Sequence, residues 1–120
     1  MTELRTGELV DRMPRPVSLA NDPGAYAVMI VGDSMWPRFR PGRRIAISPK
    51  APVAIGDDVL VKLGEGASRT NARRNFAVLI KELVRKSGSG VELRQFNPDA
   101  TFHVEGAEVA AIEKVLGELV

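Results

Sequence analysis

The sequence predicts a single, mainly β domain. Three observations carry that expectation. Apolar residues come in short runs that read as strands, among them Ala25 to Val31, Asp58 to Leu63 and Phe76 to Arg85. Gly- and Pro-rich turn signals separate these runs, which is the pattern of an all-β chain rather than of a helical bundle. The length of 120 residues fits one domain and can bury a core without disulfide or metal staples.

Taken in order, Thr2 to Met13 reads as a short amphipathic helix, with Leu4, Leu9 and Val10 on its apolar side. Pro14 and Pro16 stop that helix and force an extended segment. Residues 1–14 therefore form an N-terminal segment or linker, and 15–120 form the domain proper. Asn21-Asp22-Pro23-Gly24 marks a turn. Ala25 to Val31, apolar on both faces, reads as a buried strand. Pro37, Pro41 and Gly42 keep the next stretch irregular, and Arg44 to Ser48 alternates as a short strand. Gly56-Asp57 is a turn before the strand Asp58 to Leu63. Gly64 to Asn75 is a polar loop. Phe76 to Arg85 and Val91 to Phe96 form a hairpin about Ser87-Gly88-Ser89-Gly90. Asn97-Pro98-Asp99 is a further turn. The tail, Glu105 to Val120, is ambiguous: its Ala and Glu content favours helix, while its alternation also permits a strand.

Composition removes several function classes. There is no cysteine, so no disulfide, thiolate nucleophile or thiolate metal site exists. The one histidine, His103, cannot make a zinc site alone, and neither a metal nor another cofactor is expected. Lys and Arg exceed Asp and Glu by 17 to 15, too slight an excess to point to nucleic acid. The N-terminus does not read as a signal peptide, and Ala25 to Val31 is far too short to span a bilayer. A cytoplasmic protein with no membrane partner is expected.

Two residues point to chemistry. Ser34 follows a buried strand on a Gly32-Asp33-Ser34-Met35 turn. Such a turn presents a hydroxyl and aims backbone N–H groups at one point, as a serine nucleophile requires. A serine here also serves simply as a turn former. Lys81 lies within the Phe76–Arg85 strand and shares its face with Ala77, Leu79 and Leu83. Burial between leucines disfavours an ammonium and lowers its pKa, and a neutral lysine accepts a serine's proton. The alternative is a lysine whose head reaches solvent along its apolar stem. Together, serine and lysine make a base-assisted nucleophile that needs no histidine.

Other candidates have plainer readings. His103 reads as a surface or packing residue, and Arg69, Arg73 and Arg74 as a solvated loop. Trp36 and Phe39 are expected to pack under the Ser34 turn, or else to line a cleft or a dimer surface. Val115, Leu116, Leu119 and Val120 leave an apolar tail suited to self-association.

Four motifs carry a resemblance. Val31-Gly-Asp-Ser-Met-Trp-Pro-Arg-Phe-Arg-Pro-Gly42 resembles the nucleophile signature of the S24 peptidase family, which includes LexA, UmuD and the C-terminal domains of phage repressors. Gly56-Asp57-Asp58-Val-Leu-Val61, Leu79-Ile-Lys-Glu-Leu83 and Gln95-Phe-Asn-Pro98 follow in the family's order. The segment from Pro16 to Val31 looks most like phage-type transcriptional regulators. The resemblance implies a domain of bent antiparallel sheets with a β-ribbon, like LexA and signal peptidase. It implies Ser34 as nucleophile, Lys81 as general base, and the backbone N–H groups of Asp33 and Ser34 as oxyanion donors. It further implies self-cleavage within a transcriptional regulator, a homodimer, and stimulation by the RecA filament formed on damaged DNA. DNA contact would belong to a helix-turn-helix domain, for which these 120 residues leave no room. The alternative is a dimerisation and sensing module that keeps the dyad and cleaves nothing.

Overall fold

The computed structural model describes residues 2–3, 9–13, 22–64 and 77–119, with side chains described over 22–64 and 77–119. Pro14, Pro16, Val120 and nearly all of the expected Gly64–Asn75 loop, including Arg69, Arg73 and Arg74, lie outside the described residues. Nine strands are present among those described: β1 (Thr2–Glu3), β2 (Leu9–Met13), β3 (Tyr26–Ile30), β4 (Arg44–Ser48), β5 (Asp58–Leu63), β6 (Ala77–Ser87), β7 (Gly90–Phe96), β8 (Asp99–Glu105) and β9 (Val109–Glu118). They form one sheet in the order β1-β2-β3-β4-β9-β5-β6-β7-β8, with every pairing antiparallel. The mainly β expectation holds.

Two local expectations give way to tertiary pairing. The described parts of the expected Thr2–Met13 helix are strands instead: Thr2–Glu3 is one, and Leu9–Met13 is another whose Val10 to Met13 pair with Ile30 to Ala27 of β3. The ambiguous tail is also a strand. β9 fills the gap between β4 and β5, so both of its edges find partners. A helix there would leave the facing edges of β4 and β5 unpaired. The tail is less exposed than expected, because Val115 belongs to the core and Leu119 packs on Ala25 and Ala46. Of the apolar residues Val115, Leu116 and Leu119, Leu116 alone is exposed.

The sheet curls on itself. β1 lies against β6 although the two are far apart in the strand order. Curling explains why β5 and β6 are apolar on both faces. Val59, Val61 and Leu79 point one way, Leu60, Val78 and Ile80 the other, and all are buried. The β6–β7 hairpin turns through Gly88-Ser89, as the glycine-rich spacing predicts. At its base a Cβ on Gly90 would fall on the Val104 carbonyl oxygen, so this close approach to β8 requires glycine.

One buried polar cluster braces the sheet. The Tyr26 hydroxyl on β3 donates to Glu113 Oε1 on β9 at 2.5 Å. Lys62 Nζ on β5 lies 3.3 Å from Glu113 Oε2. A buried carboxylate is tolerable only with such partners.

Leu93 of β7 is fully buried in the main core. Leu93→Ala is expected to cost about 2–5 kcal/mol, the range for a truncated core leucine, read as a fall in the urea unfolding midpoint with an unchanged slope.

Candidate active site

The chain leaves β3 at Ile30 and returns to β4 at Arg44, and the thirteen residues between make a closed lobe over the sheet. Its neck is fixed by Ile30 N–H donating to the Arg43 carbonyl at 2.9 Å and Gly42 N–H to the Ile30 carbonyl at 2.6 Å. Gly42 adopts φ +87°, a left-handed conformation that a side chain would resist. The lobe is irregular, as Pro37 and Pro41 predict, and the Trp36–Pro37 peptide is cis. Met35 and Phe39 anchor it by inserting into the core. Trp36 does not join them, so the expected packing under the Ser34 turn holds for Phe39 and not for Trp36. It stands 42% exposed, with the Arg40 guanidinium 5.0 Å above its ring.

Anchoring by Met35 brings the preceding residue down onto the sheet. Ser34 is 9% exposed, and Lys81 Nζ donates to its Oγ at 2.8 Å. The two residues are 47 positions apart in the sequence. Lys81 is 0% exposed, so the snorkelling alternative does not describe it. Leu79 and Leu83 on β6 wall it as the strand alternation predicts, and strand pairing adds Val59 directly opposite on β5. The sheet continues past Lys81 at the Ala54–Asp57 turn. There Gly56 N–H donates to the Leu83 carbonyl and Leu83 N–H to the Asp57 carbonyl, each at 2.8 Å.

The backbone of Asp33 and Ser34 lies against the two-residue turn between β7 and β8. The Ser34 carbonyl accepts the N–H groups of both Phe96 and Asn97 at 2.8 Å. The Asp33 carbonyl accepts Trp36 N–H at 3.1 Å and Asn97 Nδ2 at 3.3 Å. The Asn97–Pro98 bond is cis, within the turn expected there.

A charged brace completes the lobe. Arg38 Nη1 lies 2.8 Å and 2.7 Å from the two carboxylate oxygens of Asp58. Its guanidinium sits 4.7 Å from the Phe96 ring centre, and Arg94 sits 4.8 Å from the same ring. Burial pushes the Asp58 carboxyl above its ordinary 3.8, outweighing the opposing pull of Arg38. Arg94 also bonds Asp99 and holds that exposed carboxyl below its ordinary value.

The remaining candidate is not part of this constellation. His103 is exposed on β8 with Nε2 3.1 Å from Glu105. Sequence reasoning passed over Arg38 and Asp58, and it read Asn97-Pro98 only as a turn. The nearness of Phe96 and Asn97 to Ser34 leaves no trace in local pattern. The recurrence of Gln95-Phe-Asn-Pro98 beside the other motifs was the available signal.

Comparison with known proteins supplies an independent line. A family model described as Peptidase S24-like matches residues 3–116. The chain is 34% identical over 111 residues to Repressor protein C of Rhizobium phage 16-3, covering 92% of this chain and 41% of that one. It is 35% identical over 48 residues to prophage repressor CohE of Escherichia coli (strain K12), covering 40% and 21% respectively. The aligned region is thus less than half the length of either relative. No solved structure matches the chain.

A fully buried amine is costly, and an apolar side chain of similar length removes that cost. Lys81→Met is expected to fold and to be as stable as the wild type or about 1 kcal/mol more stable, measured as an unchanged or raised urea midpoint.

Proposed function

The chain belongs to the Peptidase S24-like family, and from that premise we propose that it is the Ser–Lys peptidase domain of a repressor-type transcriptional regulator, cleaving its own polypeptide. The observation that carries the reading is the 2.8 Å contact between Ser34 Oγ and a fully buried Lys81 Nζ. The regulatory role rests on the two relatives, both named as repressors.

The chemistry follows from the geometry. Burial favours the neutral amine, whose lone pair accepts the hydroxyl proton across the same short distance. Ser34 Oγ attacks the carbonyl carbon of a peptide bond while its proton passes to Lys81 Nζ. The carbonyl oxygen takes the negative charge and is held by backbone N–H groups of Asp33 and Ser34. When the C–N bond breaks, Lys81 returns the proton to the departing amine. An ester on Ser34 remains. Water then attacks the ester and gives a proton to Lys81, which passes it to Ser34 Oγ as the acyl C–O bond breaks, restoring the free serine and the neutral amine.

Self-cleavage also requires a scissile bond. The family resemblance points to Ala-Gly or Cys-Gly, and neither dipeptide occurs in these 120 residues. For these residues taken alone, that observation favours a second reading, a dimerisation and sensing module without cleavage. Under either reading the domain forms a symmetric homodimer, and DNA contact belongs to a helix-turn-helix segment outside these residues. The RecA filament is the proposed stimulator of cleavage.

The decisive experiment incubates the protein, together with any in-frame sequence encoded upstream of Met1, at graded alkaline pH with and without RecA filaments. Fragments are followed by mass spectrometry. Only neutral Lys81 is competent, so the rate is expected to rise with pH until the amine is fully deprotonated. Ser34→Ala and Lys81→Ala should each abolish cleavage. Undiminished cleavage in Lys81→Ala would exclude the dyad, and absence of cleavage under every condition would leave the sensing module.

Assembly is tested separately. Light scattering at high micromolar concentration is expected to return twice the 13.0 kDa chain mass, and a monomer there would refute the dimer.

A further inference from the structure

The β7–β8 turn does more to the Ser34 lobe than its role as a chain reversal requires. Three donors converge from it on two consecutive carbonyls: Phe96 N–H and Asn97 N–H on the Ser34 carbonyl, and Asn97 Nδ2 on the Asp33 carbonyl. The donor platform is itself braced. Gln95 Nε2 donates to the Pro98 carbonyl at 3.1 Å, Arg94 Nε bonds Asp99 at 3.0 Å, and Phe96 pairs with Asp99 across the hairpin. The Phe96 ring is covered by the guanidinium groups of Arg38 and Arg94.

Peptide planarity turns these contacts into a statement about the reaction. In a trans peptide unit the C=O and the following N–H point in opposite directions. A hydrogen bond that pulls the Asp33 carbonyl toward Asn97 therefore turns the Ser34 N–H away from Asn97. The Ser34 N–H is one of the two groups assigned to the oxyanion. Trp36 N–H also bonds the Asp33 carbonyl, but it belongs to the same lobe and moves with it. Asn97 lies 64 positions away, on a different element, and so ties the peptide plane to the sheet.

We infer that Asn97 is a positioning residue: its side-chain amide sets the orientation of the Asp33–Ser34 peptide plane and thereby aims the Ser34 N–H at the developing oxyanion. The inference rests on the Ser–Lys reading above. It differs from that reading in assigning a role to a residue that need not touch the substrate.

A fluorophosphonate probe tests both separately. Ser34 Oγ forms a bond to phosphorus, the P–F bond breaks, fluoride leaves, and the hydroxyl proton passes to Lys81. The phosphoryl oxygen occupies the oxyanion position. Second-order labelling rates are measured against pH for the wild type, for Asn97→Ala and for Asn97→Leu, with melting curves for each. Asn97→Leu keeps the side-chain volume without donors and serves where Asn97→Ala loses its fold. Loss of one oxyanion donor slows reactions by about 10²–10³. Misaiming one is expected to slow labelling by about ten- to a hundredfold, with the pH midpoint unchanged because Lys81 is untouched. Labelling of the variants at the wild-type rate overturns the inference and leaves the dyad standing. Slowed labelling with a displaced pH midpoint also overturns it, since Asn97 would then act through the lysine. A wild type that is not labelled at all overturns the dyad reading and this inference with it.

Discussion

The contact between Lys81 Nζ and Ser34 Oγ joins the middle of one strand to a residue four positions past the end of another, and it requires that water be kept from the amine. Much of the surrounding architecture serves that requirement. β6 lies between β5 and β7 in the sheet, so Lys81 is on an inner strand and not on an edge. Val59, Leu79 and Leu83 supply apolar walls. Met35 and Phe39 hold the lobe down on top. An amine in such surroundings is destabilising as an ammonium, and on the proposed reading that same burial suits it to act as a base.

The other buried polar groups follow the same accounting. Ser48 closes a turn by accepting Lys50 and Ala51 N–H groups, and Glu113 is met by Tyr26 and Lys62. Among the described residues, no buried side-chain nitrogen or oxygen lacks a hydrogen-bond partner. Satisfaction of this kind is expected of a stable interior.

The lobe is held by contacts of unequal strength. The Arg38–Asp58 pair is partly exposed on the arginine side, and such pairs contribute little to stability. Its geometry is nevertheless specific, because one guanidinium nitrogen reaches both carboxylate oxygens while the plane covers Phe96. The backbone hydrogen bonds to the Ser34 carbonyl and the two core anchors carry more of the energy. Orientation and adhesion are thus supplied by different groups.

The sequence by itself determined the fold class and most strand positions, and it marked Ser34 and Lys81 as the two residues that the structure brings into contact. Those signals are local. Alternation places Lys81 on the Leu79–Leu83 face, and glycine and proline spacing marks the turns. Tertiary structure alone decided the rest. Leu9–Met13 has a sequence fit for a helix, and it becomes a strand because β3 offers an open edge. Val109–Glu118 was undecided between two states until β4 and β5 left a gap of one strand's width. Trp36 and Phe39, three residues apart, have opposite fates because only one of them lies over the core. The meeting of Asn97 with the Asp33 carbonyl, and of Tyr26 with Glu113, depends on how the sheet curls. Curl is the sum of twist and register over many strands, and no window of the sequence contains it.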